Sequence, residues 1–169
     1  MRLFYAITID PSVVKTVKYY QHLLRKMSPH GRYTRKENFH ITLYFVGERP
    51  IEDLPFLQQV LNTLRSKSFT LYCHGISSFK RGLYYLAIES HPQITELYTN
   101  IATQLSHEVV DPHYTPHITL GRDINIDATS IVVQRFPIEV NRISLMESSR
   151  INGVLTYSEL AHVDLIKGE

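Results

Sequence analysis

The sequence predicts an α+β chain built from two related halves, and a short repeat is the first reason. His40-Ile41-Thr42-Leu43 returns as His117-Ile118-Thr119-Leu120. The second reason is the order of elements around each copy, which is a strand, a long amphipathic helix and then the strand that carries His-x-Thr. The offsets agree, with 37 residues from Leu3 to His40 and 33 from Tyr84 to His117. Successive side chains of a strand point to opposite faces, so each copy has an apolar back (Ile41 and Leu43, Ile118 and Leu120) and a His/Thr front. Two such fronts facing one another enclose a cleft with two imidazoles and two hydroxyls.

Residues 2 to 9 alternate and are rich in Phe, Tyr and Ile, which is strand character. Asp10-Pro11-Ser12 supplies cap and first-turn chemistry, and Val13, Val17, Tyr20, Leu24 and Met27 recur along one helical stripe. Ser28-Pro29-His30-Gly31 ends that helix, and a short extended piece, Arg32 to Lys36, leads to the first His/Thr strand, Asn38 to Val46. Gly47-Glu48-Arg49-Pro50 stops the strand, and Leu54, Leu57, Leu61 and Leu64 mark a second helix from about Ile51 to Arg65. Phe69 to His74 reads as a strand, Lys80 to Leu83 as a hairpin turn, and Tyr84 to Glu89 as the returning strand. Ser90-His91-Pro92 opens a third helix with the stripe Ile94, Leu97, Tyr98, Ile101 and Leu105. The loop Asp111 to Pro116 runs into the second His/Thr strand, Pro116 to Arg122. Asp123 to Gln134 is weakly patterned, with at most a short helix. Phe136 to Met146 and Val154 to Asp164 close the chain as two strands about Asn152-Gly153. No linker divides the 169 residues, and a single bilobal unit spanning residues 1 to 169 is expected.

Hydrophobic residues at 43% and charged residues at 20% are globular proportions and exclude a disordered chain. One cysteine, Cys73, cannot form an internal disulfide, which suits a reducing cytoplasm; no nucleophile motif surrounds it, and a place in the core is expected. The apolar run Leu3 to Ile9 is too short for a signal-peptide core, and none approaches a bilayer span, so a soluble cytoplasmic protein is expected. Nothing demands a partner chain, and a monomer is expected. Charge is unevenly spread: residues 1 to 36 hold eight Lys and Arg against the single acid Asp10. A basic segment leading into a His/Thr strand suits an extended anion such as RNA, and equally a solvated helix face.

Two histidines across a cleft suit a reaction in which one proton is removed while another is delivered, because imidazole titrates near neutrality. Water attacking a strained cyclic phosphate is such a reaction, and the Thr hydroxyls on the same faces can donate to the non-bridging oxygens. A lone His-x-Thr is ordinary strand surface; two in matching architecture point to catalysis. His113 and His117 have a zinc-like i, i+4 spacing, but Pro116 between them removes the helical context. No metal and no cofactor is expected. Gly-rich phosphate loops and Ser/His/Asp signatures are absent.

The blocks Asn38 to Glu48 and Tyr114 to Arg122 resemble those of the 2H phosphoesterase superfamily, and within it the RNA 2',3'-cyclic phosphodiesterases, also called the 2'-5' RNA ligase family. Further similarity runs through Met1 to Ile7, Arg32 to Glu37, Leu83 to Glu89 and Glu147 to Leu160. The resemblance implies two antiparallel sheets facing a central cleft with helices outside, and metal-free opening of a terminal 2',3'-cyclic phosphate to a 2'-phosphate. By position, His40 would be the general acid on the departing 3'-oxygen and His117 the base on water, although the residues themselves do not separate the two roles. Thr42, Thr119 and Arg122 would hold the phosphate. Strict alternation places Arg122 on the back with Ile118 and Leu120, and a bulge at Gly121 would redirect it.

Phe39, Tyr33, Tyr44 and Tyr114 are candidate base-stacking groups, each equally suited to the core. Tyr44 is favoured because it continues the His40/Thr42 face. Arg35, with Arg32 and Lys36, and the hairpin-tip Lys80 and Arg81 are candidate backbone contacts. The remaining histidines, His107 among them, receive no role. Two rival readings are a 2'-5' ligase running the same site in reverse and a non-catalytic RNA-binding module.

Overall fold

The computed structural model describes residues 1–105 and 111–168, so His107 lies outside the described residues. β1 (Arg2–Thr8), β3 (His40–Glu48), β8 (Arg142–Ile151) and β9 (Val154–Asp164) form one antiparallel sheet in the order β3-β1-β8-β9. β2 (Arg32–Tyr33), β4 (Phe69–Phe79), β5 (Leu83–Ile88), β6 (His117–Arg122) and β7 (Phe136–Val140) form a second, in the order β2-β6-β5-β4-β7. Helices α1 (Pro11–Met27), α2 (Leu54–Thr63) and α3 (Pro92–Leu105) complete the α+β architecture.

The elements follow their local chemistry. Asp10 caps α1, its carboxylate accepting from the Ser12 amide at 3.0 Å, and Pro11 takes the first turn, where a missing amide hydrogen costs nothing. Val13, Val17, Tyr20 and Leu24 are the buried stripe. α2 is shorter than expected, because Pro50 and Pro55 confine Ile51–Asp53 to a 3-10 turn before the helix proper. α3 buries Ile94, Leu97, Tyr98 and Ile101.

The internal repeat survives in the pairing: β1 pairs antiparallel with β3, and β5 with β6. Tyr5 and Tyr84 occupy matching places, opposite Tyr44 and Gly121, and each donates its hydroxyl to a backbone carbonyl, of Leu57 and Ile126 respectively. The helices, however, are exchanged. α1, from the first half, lies on β6, and α3, from the second half, lies on β3, while α2 covers β8 and β9. The apolar backs of both sheets and the helices join in one core containing Leu3, Tyr5, Ile41, Leu43, Leu86, Ile118 and Leu120. Gln21 fastens one exchange: buried on α1, it uses both amide hydrogens, on the carbonyls of Thr34 and Leu120, each at 2.8 Å.

A second sequence expectation about the elements is corrected. Phe136 to Met146 is two strands in different sheets, with Asn141 between them. The chain leaves β7 and enters β8 there, and the Asn141 carbonyl accepts from the Leu165 amide at 2.8 Å instead of joining a ladder. Strand-forming residues on both sides hide the crossing.

Replacing Gln21 with Leu removes both bonds and leaves the Thr34 carbonyl short of a donor. A loss of about 2 kcal/mol is expected from urea unfolding, with an unchanged far-ultraviolet circular dichroism spectrum.

Candidate active site

Antiparallel partners point to the same face, so the register fixes what enters the cleft. Thr8 and Ala6 of β1 oppose His40 and Thr42. The next β1 residue, Tyr5, opposes Tyr44, which leaves Leu43 as an extra residue in β3. β6 does the same: Tyr85 opposes Thr119 and Tyr84 opposes Gly121, with Leu120 as the extra residue. Each bulge shifts the alternation by one position. Leu43 and Tyr44 both turn back, as do Leu120 and Gly121, and the next side chains to face the cleft are Phe45 and Arg122.

The bulge therefore places Arg122 on the front with His117 and Thr119, as the expectation of a redirecting bulge required. Gly121 is needed at the second bulge, because an added Cβ would lie 2.9 Å from Ile124 Cδ1 and 3.0 Å from the Arg32 carbonyl oxygen of β2.

The two imidazoles are held alike. His40 Nδ1 lies 2.8 Å from the Asn38 carbonyl oxygen, and His117 Nδ1 lies 2.7 Å from that of Thr115. A carbonyl only accepts, so each Nδ1 carries the hydrogen and each Nε2 is left for chemistry. His40 Nε2 is 2.9 Å from Thr42 Oγ1. Aromatic rings flank both: Phe4 and Tyr157 at 5.0 and 5.2 Å from His40, Tyr85 and Phe79 at 5.0 and 5.1 Å from His117. Burial holds both histidines below the usual imidazole range, against the opposing pull of the carbonyls. The charge of His117 further depresses His40, and that of Arg122 further depresses His117, so both motifs act on one electrostatic site.

The other sequence candidates are sorted by the same register. Phe39 is 6% exposed and belongs to the core, so it is removed as a base contact. Tyr44 is also corrected: the bulge at Leu43 turns it to the back, where its ring is 6.1 Å from that of Tyr98. Tyr114 stacks face to face on Tyr98 at 4.2 Å and donates its hydroxyl to the Thr42 carbonyl at 3.0 Å, which makes it a brace between α3 and β3. Tyr33 is tied to the Ser28 carbonyl and lies under Arg25. Arg35 borders a hollow of about 260 Å³ with Arg32, Asn38, Arg122 and Leu155, beside the site. Cys73 is fully buried, and burial pushes its thiol up to about 12.

Phe45 is the residue that sequence reading missed. It is 53% exposed on the front face, with the Arg2 guanidinium 5.0 Å from its ring centroid. Its signal was its place three residues beyond Thr42, matching Arg122 three beyond Thr119. Among the described residues, no group of three or more His, Cys, Asp or Glu side chains converges as metal ligands, and no helix is long and apolar enough to cross a membrane.

Comparison with known proteins agrees with this architecture. The family model of the 2'-5' RNA ligase superfamily matches residues 10–152. A Thermotoga maritima protein named RNA 2',3'-cyclic phosphodiesterase is 28% identical over 159 residues, 82% of this chain and 85% of its own length. A protein of the same name from Archaeoglobus fulgidus is 26% identical over 130 residues, 72% of each chain. Escherichia coli LigT in its apo form superposes with a TM-score of 0.84 at 24% identity, covering 98% of this chain and 97% of that one. The structure of LigT complexed with 3'-AMP gives the same score. These likenesses identify the bilobal 2H phosphoesterase fold.

The charge coupling is open to direct measurement. Ring proton titration by NMR should place His40 and His117 below 6.5, and His117→Asn should raise the His40 value. Arg122→Ala should raise that of His117, as loss of a repelling charge favours the protonated ring.

Proposed function

Because the chain belongs to the 2'-5' RNA ligase superfamily, whose model spans most of its length, we propose that it opens a terminal 2',3'-cyclic phosphate on RNA to a 2'-phosphate. The observation that carries this reading is the paired imidazoles, each with Nδ1 fixed on a backbone carbonyl and its Nε2 left for chemistry. The names of the Thermotoga and Archaeoglobus relatives support the substrate class.

In this scheme the neutral Nε2 of His117 takes a proton from water as the water oxygen bonds to phosphorus. The bond from phosphorus to the ribose 3'-oxygen breaks, and His40 gives that oxygen its proton. Thr42 and Thr119 donate to the non-bridging oxygens, and Arg122 offsets their growing charge. The Thr42 hydroxyl within reach of His40 Nε2 keeps the acid aimed at the phosphate. The roles given to His40 and His117 are those that the family resemblance implies for the two motif positions. Phe45, more than half exposed, offers its ring to the terminal base, and Arg35, which borders the same hollow as Arg122, adds positive potential near the phosphate. No metal ion takes part, and the protein works as a cytoplasmic monomer.

The test is a short RNA ending in 2',3'-cyclic phosphate, incubated with the protein in EDTA, with identification of the product. A 2'-phosphate is expected, with losses on the order of 10³-fold in His40→Ala and His117→Ala. Phe45→Ala should cost about tenfold, one stacked base. A 3'-phosphate would contradict the assigned leaving oxygen. Bound RNA with no product would favour a binding module, and joined strands on adding a 5'-hydroxyl RNA would favour the ligase direction.

The acidity of the site predicts the pH profile. With both rings depressed, kcat/KM should fall on the alkaline side with an apparent pKa below 6.5 as the acid loses its proton. It should fall again at lower pH, when the base is protonated.

A further inference from the structure

The cleft continues past Phe45 into a second hollow of about 460 Å³, bordered by Arg2, Phe45, Glu48, Glu147, Arg150 and Leu155. This volume is in the range of pockets for nucleotide-sized ligands. Leu155 also borders the hollow that contains Arg122, so the two adjoin.

The arginines here differ from most others in the chain. Arg32, Arg35, Arg49, Arg135 and Arg142 each pair with an Asp or Glu. Among the described residues, Arg2, Arg122 and Arg150 have no such ion pair; nor do Arg25, which lies over the Tyr33 ring, Arg65, which donates to the Asn62 carbonyl, and Arg81 in the turn between β4 and β5. Arg2 lies over the Phe45 ring, and Arg150 reaches only the Gly153 carbonyl, at 2.9 Å. Of the two acids, Glu48 faces the Met1 ammonium group at 3.8 Å.

Register gives these cations a direction. Phe45 opposes Phe4, and Arg2 is two residues further along β1 on the same face. Arg2 opposes Ser148, and Arg150 is two residues further along β8, again on that face. Each step is one strand across and two residues along, roughly 8 Å from strand spacing and rise. From His40 through Thr42 to Phe45, then Arg2 and Arg150, the line runs diagonally away from the imidazoles. A strand ending in a 2',3'-cyclic phosphate has all its remaining nucleotides on the 5' side, so it leaves the site in one direction. An aromatic platform followed by unpaired cations is the surface that tracks a single strand.

We infer that this hollow is the subsite for the penultimate nucleotide, with Arg2 on the phosphodiester next to the terminal nucleoside and Arg150 on the one beyond. The inference rests on the proposed cyclic phosphodiesterase reaction and adds that the enzyme reads an RNA end rather than a mononucleotide. Both arginines determine specificity and take no part in the proton transfers.

The experiment compares kcat/KM for a nucleoside 2',3'-cyclic phosphate and for di- and trinucleotides with the same terminus. In the wild-type protein the value should rise with each added nucleotide. Arg2→Ala should lower the dinucleotide value about tenfold, the size of one charge-assisted hydrogen bond, and Arg150→Ala should do so only for the trinucleotide. The mononucleotide rate should stay within about twofold in both variants. The salt slope of RNA binding should fall by about 0.7 per arginine removed.

A wild-type rate independent of length, or equal losses on all three substrates, would overturn the inference while leaving the reaction intact. So would a rise erased by Arg35→Ala instead of Arg2→Ala, which would send the strand through the hollow beside Arg122. Failure of the wild-type protein on all three substrates would instead refute the reaction itself.

Discussion

An extra residue just beyond each His/Thr pair sets the composition of the site. Leu43 in β3 and Leu120 in β6 are unopposed in the ladders, and each bulge turns the following residue to the core and the one after it into the cleft. Without the bulges, strict alternation would present Tyr44 and Gly121 beside the threonines and bury Phe45 and the Arg122 guanidinium. A buried, unpaired guanidinium is strongly unfavourable, so the bulge in β6 decides both where the Arg122 charge goes and whether the sheet is stable. The repeat thus supplies two equivalent positions, and sequence divergence makes one an aromatic platform and the other a cation.

The exchanged helices hold the two fronts in register with each other. α1 reaches from the first half to β6 and α3 from the second half to β3, so each histidine strand is backed by the other half's helix. Tyr114 adds a direct tie, stacking on α3 while its hydroxyl meets the Thr42 carbonyl. Burying the imidazoles among aromatic rings carries a linkage cost. Both have lower pKa values in the folded state than the ordinary 6.5, so the unfolded chain binds protons more readily. Their contribution to stability is present above the unfolded value and is lost as pH falls through the folded values.

The repeated tetrapeptide made both histidine strands, their apolar backs and the order of elements legible, because period-two alternation and helical stripes are local signals. A bulge is not local, since it depends on which partner residue is skipped. In β6, Gly121 hinted at it, and Arg122 was accordingly anticipated. In β3 the apolar run Leu43-Tyr44-Phe45-Val46 conceals the change of phase, and Tyr44 was favoured where Phe45 stands. Phe39 looked available because it precedes His40, yet the 3-10 turn Lys36–Asn38 brings it into the core. The break at Asn141 was hidden for the same reason, because strand propensity on both sides carries no record of which sheet each strand joins.

The proposed reaction requires a phosphate held between two imidazoles from opposite lobes. The most direct measurement is a crystal structure with the 2',3'-cyclic vanadate of a nucleoside, whose trigonal-bipyramidal vanadium copies the geometry of in-line attack. Vanadium is expected between His40 Nε2 and His117 Nε2, with its equatorial oxygens on Thr42, Thr119 and Arg122 and the base on Phe45. Vanadate bound by one histidine alone, or away from both, would contradict it.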